Sequence, residues 1–238
     1  LEDVSFRYEG AKEDAVSHVT LSVPEGKTIA LVGPSGSGKT TLARLIPRFW
    51  DTTGGRVLVG GVDVRKMSPE KLMKSVSFVF QNTRLFKTTI LENVRYGSPD
   101  ATLEEINRAI DLSQSREILD RLPEGLNTLI GAEGTYLSGG EMQRIVLARA
   151  ILKDAPIVVL DEATAFADPE NEHLIRQALA RLTRGKTVLM IAHRLTTVRH
   201  ADSIVVMKEG TIVEEGTHDE LMERNGTYRL MWDEYQRA

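Results

Sequence analysis

The chain has no cysteine among its 238 residues, so it carries no disulfide, no thiolate-bound zinc, no iron–sulfur cluster and no thiol nucleophile. A secreted disulfide scaffold is excluded, and a reducing compartment fits. Its strongest apolar runs, at residues 28–32, 157–160 and 188–192, fall far short of the ~20 residues a membrane-spanning helix needs. The chain therefore does not cross a bilayer by itself. Basic residues are not in excess: 30 Lys and Arg face 34 Asp and Glu, a formal charge of -4, which argues against a nucleic-acid footprint spread over the whole domain. Internal repeats, low-complexity stretches and long charge runs are also missing, so no linker divides the chain into independent halves. The sequence opens at Leu1 without an initiator Met and enters a strand-like alternation (Val4, Phe6, Tyr8) with no signal peptide; the expectation is a piece of a longer polypeptide.

What is present is a succession of short β-rich runs and helical patterns. Thr28–Val32 precedes a helix from Gly38 to about Pro47; Val76–Phe80 follows; Ile157–Leu160 precedes a helix after Pro169; Thr187–Ile191 and Ser203–Met207 come last. Continuous apolar strands separated by helices predict a parallel sheet covered on both faces, hence an α/β class. Leu1–Val23 and Arg56–Val64 read as antiparallel strands, and Leu91–Leu152 as almost wholly helical. Thr102/Glu105 and Thr217/Glu220 have the Thr-x-x-Glu spacing of reciprocal helix caps, with His218 expected as a solvated first-turn residue of the second.

Chemistry enters at Gly33-Pro34-Ser35-Gly36-Ser37-Gly38-Lys39-Thr40, which follows an apolar strand and opens a helix. That is the context of a phosphate-binding loop: glycines let backbone N–H groups turn around an anion, the helix start adds positive potential, Lys39 reaches the β- and γ-phosphates, and Thr40 is placed to ligate Mg²⁺. The four fixed positions arise by chance in a chain of this length about once in a hundred. The loop alone does not choose between kinase, GTPase, motor and ATPase.

Other strand ends narrow the choice. Ile157–Leu160 runs into Asp161-Glu162, one carboxylate for Mg²⁺ through water and one to accept a proton from attacking water. Val188–Ala192 ends at His193, and Val76–Phe80 at Gln81. Each is unremarkable alone, but four strands finishing in groups able to touch a nucleotide match the rule that ligands of open α/β sheets bind beyond the strands' carboxyl ends. Leu137-Ser138-Gly139-Gly140-Glu141 then starts a second helix, both a Ser-x-x-Glu capping box and, through its glycine pair, a second place where an anion could approach backbone N–H groups.

In this order, the loop at Gly33 to Thr40, Gln81, the segment Leu137 to Glu141, Asp161-Glu162, Asp168 and His193 resemble the nucleotide-binding domains of ABC transporters over essentially the whole chain. Asn82-Thr83-Arg84-Leu85-Phe86 with Thr89-Ile90-Leu91-Glu92-Asn93-Val94 is similar to the exporter branch. The resemblance implies an α/β phosphate-loop NTPase core with a parallel sheet, an antiparallel β subdomain and an inserted helical subdomain. Residues 1–81 and 153–238 would be the β subdomain and core, and 82–152 the helical subdomain carrying the signature.

It also implies Mg²⁺-dependent ATP hydrolysis in a head-to-tail dimer, with a transmembrane domain preceding Leu1 and a position at the cytoplasmic face of the cell membrane. Tyr8 then stacks on adenine, and Gly33 to Thr41 (Gly33, Pro34, Ser35, Gly36, Ser37, Gly38, Lys39, Thr40, Thr41) holds the phosphates. Thr40, Gln81 and, through water, Asp161 serve the metal; Glu162 is the general base; Lys39, Gln81 and His193 complete the catalytic set. Ser138, Gly139, Gly140 and Asp168 act on the partner chain's ATP, Asp168-Pro169 being also a plain helix start.

Three positions depart from the family pattern. Glu141 replaces Gln, which adds repulsion toward ATP unless the carboxylate turns back to the helix start. Ala165-Phe166-Ala167 replaces Ser-Ala-Leu, and Gly131-Ala132-Glu133-Gly134 lacks a Glu-Arg pair. The competing readings are an importer-type ATPase subunit, a structural or DNA-handling ABC head, and a small-molecule phosphotransferase. A DNA-handling head implies a long heptad run between Thr40 and Leu137, which does not occur.

Overall fold

The computed structural model describes residues 1–80, 84–131, 136–161, 169–192 and 195–237. In chain order its elements are β1 (Glu2–Phe6), β2 (Val16–Val19), β3 (Thr28–Val32), α1 (Lys39–Leu45), β4 (Gly54–Arg56), β5 (Leu58–Val59), β6 (Val62–Asp63), α2 (Pro69–Ser75) and β7 (Val76–Val79). There follow α3 (Ile90–Arg95), α4 (Leu103–Leu112), α5 (Arg116–Arg121), α6 (Gly139–Lys153), β8 (Ile157–Asp161), α7 (Pro169–Thr183), β9 (Thr187–Ile191), β10 (Ser203–Lys208), β11 (Thr211–Gly216), α8 (His218–Glu223) and α9 (Thr227–Arg237). They form two compact units, one of Leu1–Val76, Pro156–Glu162 and Lys186–Ala238, the other of Ser77–Ala155 and Ala163–Gly185.

In the first unit the apolar runs become neighbouring strands in the order β11-β10-β3-β9-β8. β10, β3, β9 and β8 are mutually parallel, with Val205 opposite Leu31, Leu31 opposite Ile191 and Val159 opposite Leu189. Their residues are buried almost throughout, as expected of strands covered on both faces. The sheet is not purely parallel, which corrects the sequence expectation. β11 returns antiparallel to β10, with an exposed/half-buried alternation typical of an edge.

β1 pairs antiparallel with β2 and β4, and β5–β6 is a separate short hairpin, as the polar alternation there predicts. α1 starts at Lys39 rather than Gly38, because Gly38 sits in the left-handed region at φ 97. α8 and α9 cover the sheet through Leu221 and Tyr228, packed with Ala30, Val32, Ile204 and Val206. The Glu214 carboxylate of β11 accepts the Thr227 and Tyr228 N–H groups and so caps α9 across the fold. His218 is not merely solvated: its ring shares a 2.8 Å hydrogen bond with the Tyr228 hydroxyl.

The second unit is helical around Ile90, Val94, Ile106, Ile110, Ile118 and Ile145. The expectation that 91–152 is almost wholly helical is too broad. Gly97-Ser98-Pro99, Gln114 in the left-handed region at φ 60, and Pro123 with Gly125 break it, among the described residues, into four α-helices, and residues 88–90 pair with 128–130 in an extended bridge. The predicted capping boxes do form at Thr102/Glu105 and, in the first unit, at Thr217/Glu220.

Candidate functional site

β3 delivers the chain into the loop at the carboxyl end of the parallel strands, and the packing there dictates the glycines. A Cβ on Gly33 would lie 2.1 Å from the Met207 carbonyl oxygen, and one on Gly38 2.4 Å from that of Ala15. Both residues also have positive φ, so a side chain at either would meet a clash and backbone strain together. Lys39 is buried, and its ammonium donates to the carbonyls of Gly33 (2.9 Å) and Pro34 (2.9 Å) and to the Ser37 hydroxyl (3.2 Å). Those acceptors hold the cation inside the loop.

The start of α1 differs from most of the described helix starts in a way that matters for anions, and from the also uncapped α5 in having no acidic residue in its first turn. α2, α3, α4, α6 and α8 are each capped by a Ser or Thr hydroxyl. α1 has neither a side-chain cap nor an acidic residue in its first turn. Its leading N–H groups and positive dipole end are therefore not neutralised by the helix's own side chains, which suits a phosphate.

One residue on, the Thr40 hydroxyl donates to Oδ1 of the buried Asp161 at 3.4 Å. A hydroxyl beside a carboxylate at the end of β8 is a donor set for a hard cation. Among the described residues no group of three or more His, Asp or Glu could hold a metal by itself. The Thr40 hydroxyl and the Asp161 carboxylate are hard oxygen donors of the kind that suit Mg²⁺.

Tyr8, in the loop after β1, reaches the same helix. Its hydroxyl shares a 2.9 Å hydrogen bond with Thr41, and its ring meets Phe6 and Trp50 edge-on at 4.9 and 5.4 Å. Trp50 has no place in the sequence reading, since no local period links it to Tyr8.

The second glycine-capped helix start, in the other unit, has all its parts in order. Ser138 accepts the Glu141 N–H at 3.2 Å while its own N–H donates to Glu141 Oε2 at 2.8 Å. The Ser138 hydroxyl, used here as an acceptor, still has its proton to donate. Glu141 turns back to the helix start, as required if it is not to repel a nucleotide, and Arg121 donates to its Oε1 at 2.6 Å. Burial pushes the Glu141 carboxyl up, but the Ser138 N–H and the Arg121 guanidinium outweigh it and hold the group below its ordinary range.

The two glycines serve different ends. A Cβ on Gly139 would meet nothing within 4 Å, whereas one on Gly140 would lie 2.6 Å from Asn171 of α7. Gly139 leaves open space on its outer side, and the absence of a side chain at Gly140 makes room for Asn171 of α7. Neither Arg121 nor Asn171 was legible in the sequence, because both contacts are tertiary.

Gln81, Glu162, Asp168 and His193 lie outside the described residues, as do Ala165-Phe166-Ala167 and Ala132-Glu133-Gly134. A cavity of about 870 Å³ lies elsewhere in the first unit, lined by Leu21, Val57, Ile157 and Thr187. Ile157 and Thr187 begin β8 and β9, so it opens at the opposite strand ends from the phosphate loop. Ligands of such sheets bind at the carboxyl ends, where Lys39, Thr40 and Asp161 converge.

Comparison with known proteins gives the family. The family described as "ABC transporter" matches residues 16–165. The putative multidrug export ATP-binding/permease protein YgaD of Bacillus subtilis is 49% identical over 97% of this chain and 40% of its own length. The ATP-dependent lipid A-core flippase of Vibrio vulnificus is 47% identical over 96% of this chain and 39% of its own. The mycobactin import ATP-binding/permease protein IrtA of Mycolicibacterium thermoresistibile is 51% identical over 98% and 25%. A solved structure of a bacterial Atm1-family ABC exporter with ATP bound superposes with a TM-score of 0.91 at 36% identity, covering 100% of this chain and 41% of that one. The chain thus spans about two fifths or less of the length of these proteins.

Proposed function

Since the chain belongs to the ABC transporter family, as an ATPase domain of the exporter type, we propose that it binds Mg-ATP at Gly33 to Thr41 and hydrolyses it to drive transport. Transport would run through a transmembrane domain, with this domain at the cytoplasmic face of the membrane. The observation that carries the reading is the convergence of Lys39, Thr40 and Asp161 at an uncapped helix start.

In this reading Lys39 exchanges its loop acceptors for phosphate oxygens, and Thr40, Gln81 and, through water, Asp161 would hold Mg²⁺, which when bound neutralises phosphate charge. Glu162 takes a proton from the attacking water, and His193 contacts the γ-phosphate. No covalent enzyme intermediate is required. Residues 1–81 and 153–238 form the catalytic part and 82–152 the signature-bearing part. Ser138, Gly139, Gly140 and Asp168 of one chain complete the site of a second in a head-to-tail dimer. The exposed Ser138 and Gly139, with open space at Gly139, support that role in trans.

The test is Mg-ATPase turnover per chain against protein concentration, with Glu162→Gln protein as the blank. Turnover should rise with concentration. Ser138→Arg should bind ATP yet not turn over, and Lys39→Ala should lose tight binding and turnover alike. Mixing these two inactive variants should restore activity, because one brings an intact loop and the other an intact signature; a mixture as inactive as its parts would sink the shared site. The importer relative supports a second reading, uptake instead of export, through the same ATPase. The side of a vesicle from which cargo disappears separates the two.

A further inference from the structure

We propose that Trp50 is a positioning residue of the nucleotide site: it holds the Tyr8 ring so that base stacking on Tyr8 and phosphate binding at α1 act as one unit. The inference rests on the ATP reading above and extends it to a residue which that reading does not use.

Tyr8 sits in a loop, where a tyrosine would otherwise sample several rotamers. Three contacts restrain it. Thr41, in the first turn of α1 beside the phosphate and metal residues Lys39 and Thr40, takes its hydroxyl at 2.9 Å. Phe6, itself buried, meets the ring at 4.9 Å and 87°, and Trp50 meets it at 5.4 Å and 84°. Phe6 and Trp50 also contact each other at 5.8 Å, so the three rings form one cluster.

The cluster is not simply core. Tyr8 is 37% exposed and Trp50 38%, so part of the aromatic surface faces solvent beside the phosphate loop. Trp50 is also held by its own turn. Just past the end of α1, Arg48 adopts φ 59 and grips Asp51 with two hydrogen bonds, 2.6 and 3.2 Å, while the Phe49 N–H returns to the Arg44 carbonyl. Tyr8 is therefore held from both ends of one short helix: by Thr41 at its start and by Trp50 beyond its finish. A ring fixed before the base arrives needs less ordering on binding. Edge-to-face pairs supply about the energy to make that count.

The experiment uses a Trp232→Phe background, in which Trp50 is the single tryptophan, since the chain has two. ATP and inorganic tripolyphosphate, which has phosphates but no base, are titrated by equilibrium dialysis and by tryptophan emission. Trp50→Ala should weaken ATP about three- to ten-fold while leaving tripolyphosphate within two-fold. Trp50→Phe should recover most of the loss, and saturating ATP should change Trp50 emission. Equal weakening of ATP and tripolyphosphate by Trp50→Ala, no weakening of either, or unchanged Trp50 emission at ATP saturation overturns the proposal. Should Trp50→Ala not fold, Trp50→Leu, which keeps an apolar side chain but no ring, takes its place under the same criteria, alongside the emission change. Failure of the underlying reading looks different: protein with Trp50 intact then fails to bind ATP at all.

Discussion

The Thr40 hydroxyl lies 3.4 Å from Oδ1 of Asp161, a residue 121 positions further along the chain. The pair exists because β3 and β8 run parallel on either side of β9, so that their carboxyl ends open on the same edge. Thr40 follows one strand through a loop and Asp161 terminates the other.

Asp161→Asn keeps the shape of that side chain and removes its charge. ATP binding without metal should be nearly unchanged, while the Mg²⁺ concentration for half-maximal hydrolysis should rise about ten-fold or more, since outer ligand partners typically contribute that much to metal affinity. Titration of ATPase rate with Mg²⁺ checks this, and an unchanged half-point would remove Asp161 from the metal site.

Lys39→Ala removes the ammonium that Gly33, Pro34 and Ser37 surround. ATP affinity should fall by about two orders of magnitude, the effect of losing a charge-assisted contact of roughly 3 kcal/mol. Dialysis with labelled ATP measures it, alongside circular dichroism to establish that the fold survives.

The signature glycines should respond oppositely to a methyl group. Gly139→Ala meets open space and should leave stability within about 0.5 kcal/mol, whereas Gly140→Ala collides with Asn171 and should lose about 1–3 kcal/mol. Asn171→Ala in the Gly140→Ala background should recover most of the loss. Urea unfolding of the four proteins decides, and equal effects at the two glycines would contradict the packing.

Glu141→Gln should lower stability near neutral pH by about 0.5–1 kcal/mol, through a weaker N–H contact at the cap and a lost charge pair with a mostly exposed Arg121. Because the folded carboxyl is held below its ordinary range, the unfolded chain takes up the proton first as pH falls. The advantage of Glu over Gln is complete above about pH 4.3, the unfolded value, and is lost as pH drops through the folded one. Thermal melts of both proteins from pH 7 to 3 should converge; a gap that persists at the acid end would mean that the ionised carboxylate is not its source.

Local pattern made some of this legible and geometry hid the rest. The stretch Gly33 to Thr40, the capping residues Ser138 and Glu141, and the strands ending at Val32, Asp161 and Ile191 declare themselves through spacing and continuous apolar runs. Leu91–Leu152 reads as almost wholly helical because apolar residues recur along it, although Gly97-Ser98-Pro99, Gln114 in the left-handed region, and Pro123 with Gly125 interrupt it. The apolar pattern of the buried strands ends at Met207 because β11, Thr-Ile-Val-Glu-Glu-Gly, has no continuous apolar run and alternates exposed and half-buried residues as an edge does.

By itself, then, the order of residues determined the family, the α/β class and the chemical kind of each candidate group, because glycine at a tight loop, lysine at a helix start and a carboxylate at a strand end each have a local physical requirement. Only the tertiary structure decided which groups meet: Asp161 with Thr40, Tyr8 with Thr41 and Trp50, Arg121 with Glu141, Asn171 with Gly140. Those contacts join residues 20 to 121 positions apart or helices packed face to face, and no short-range period in the chain encodes a distance that depends on how the strands and helices are stacked.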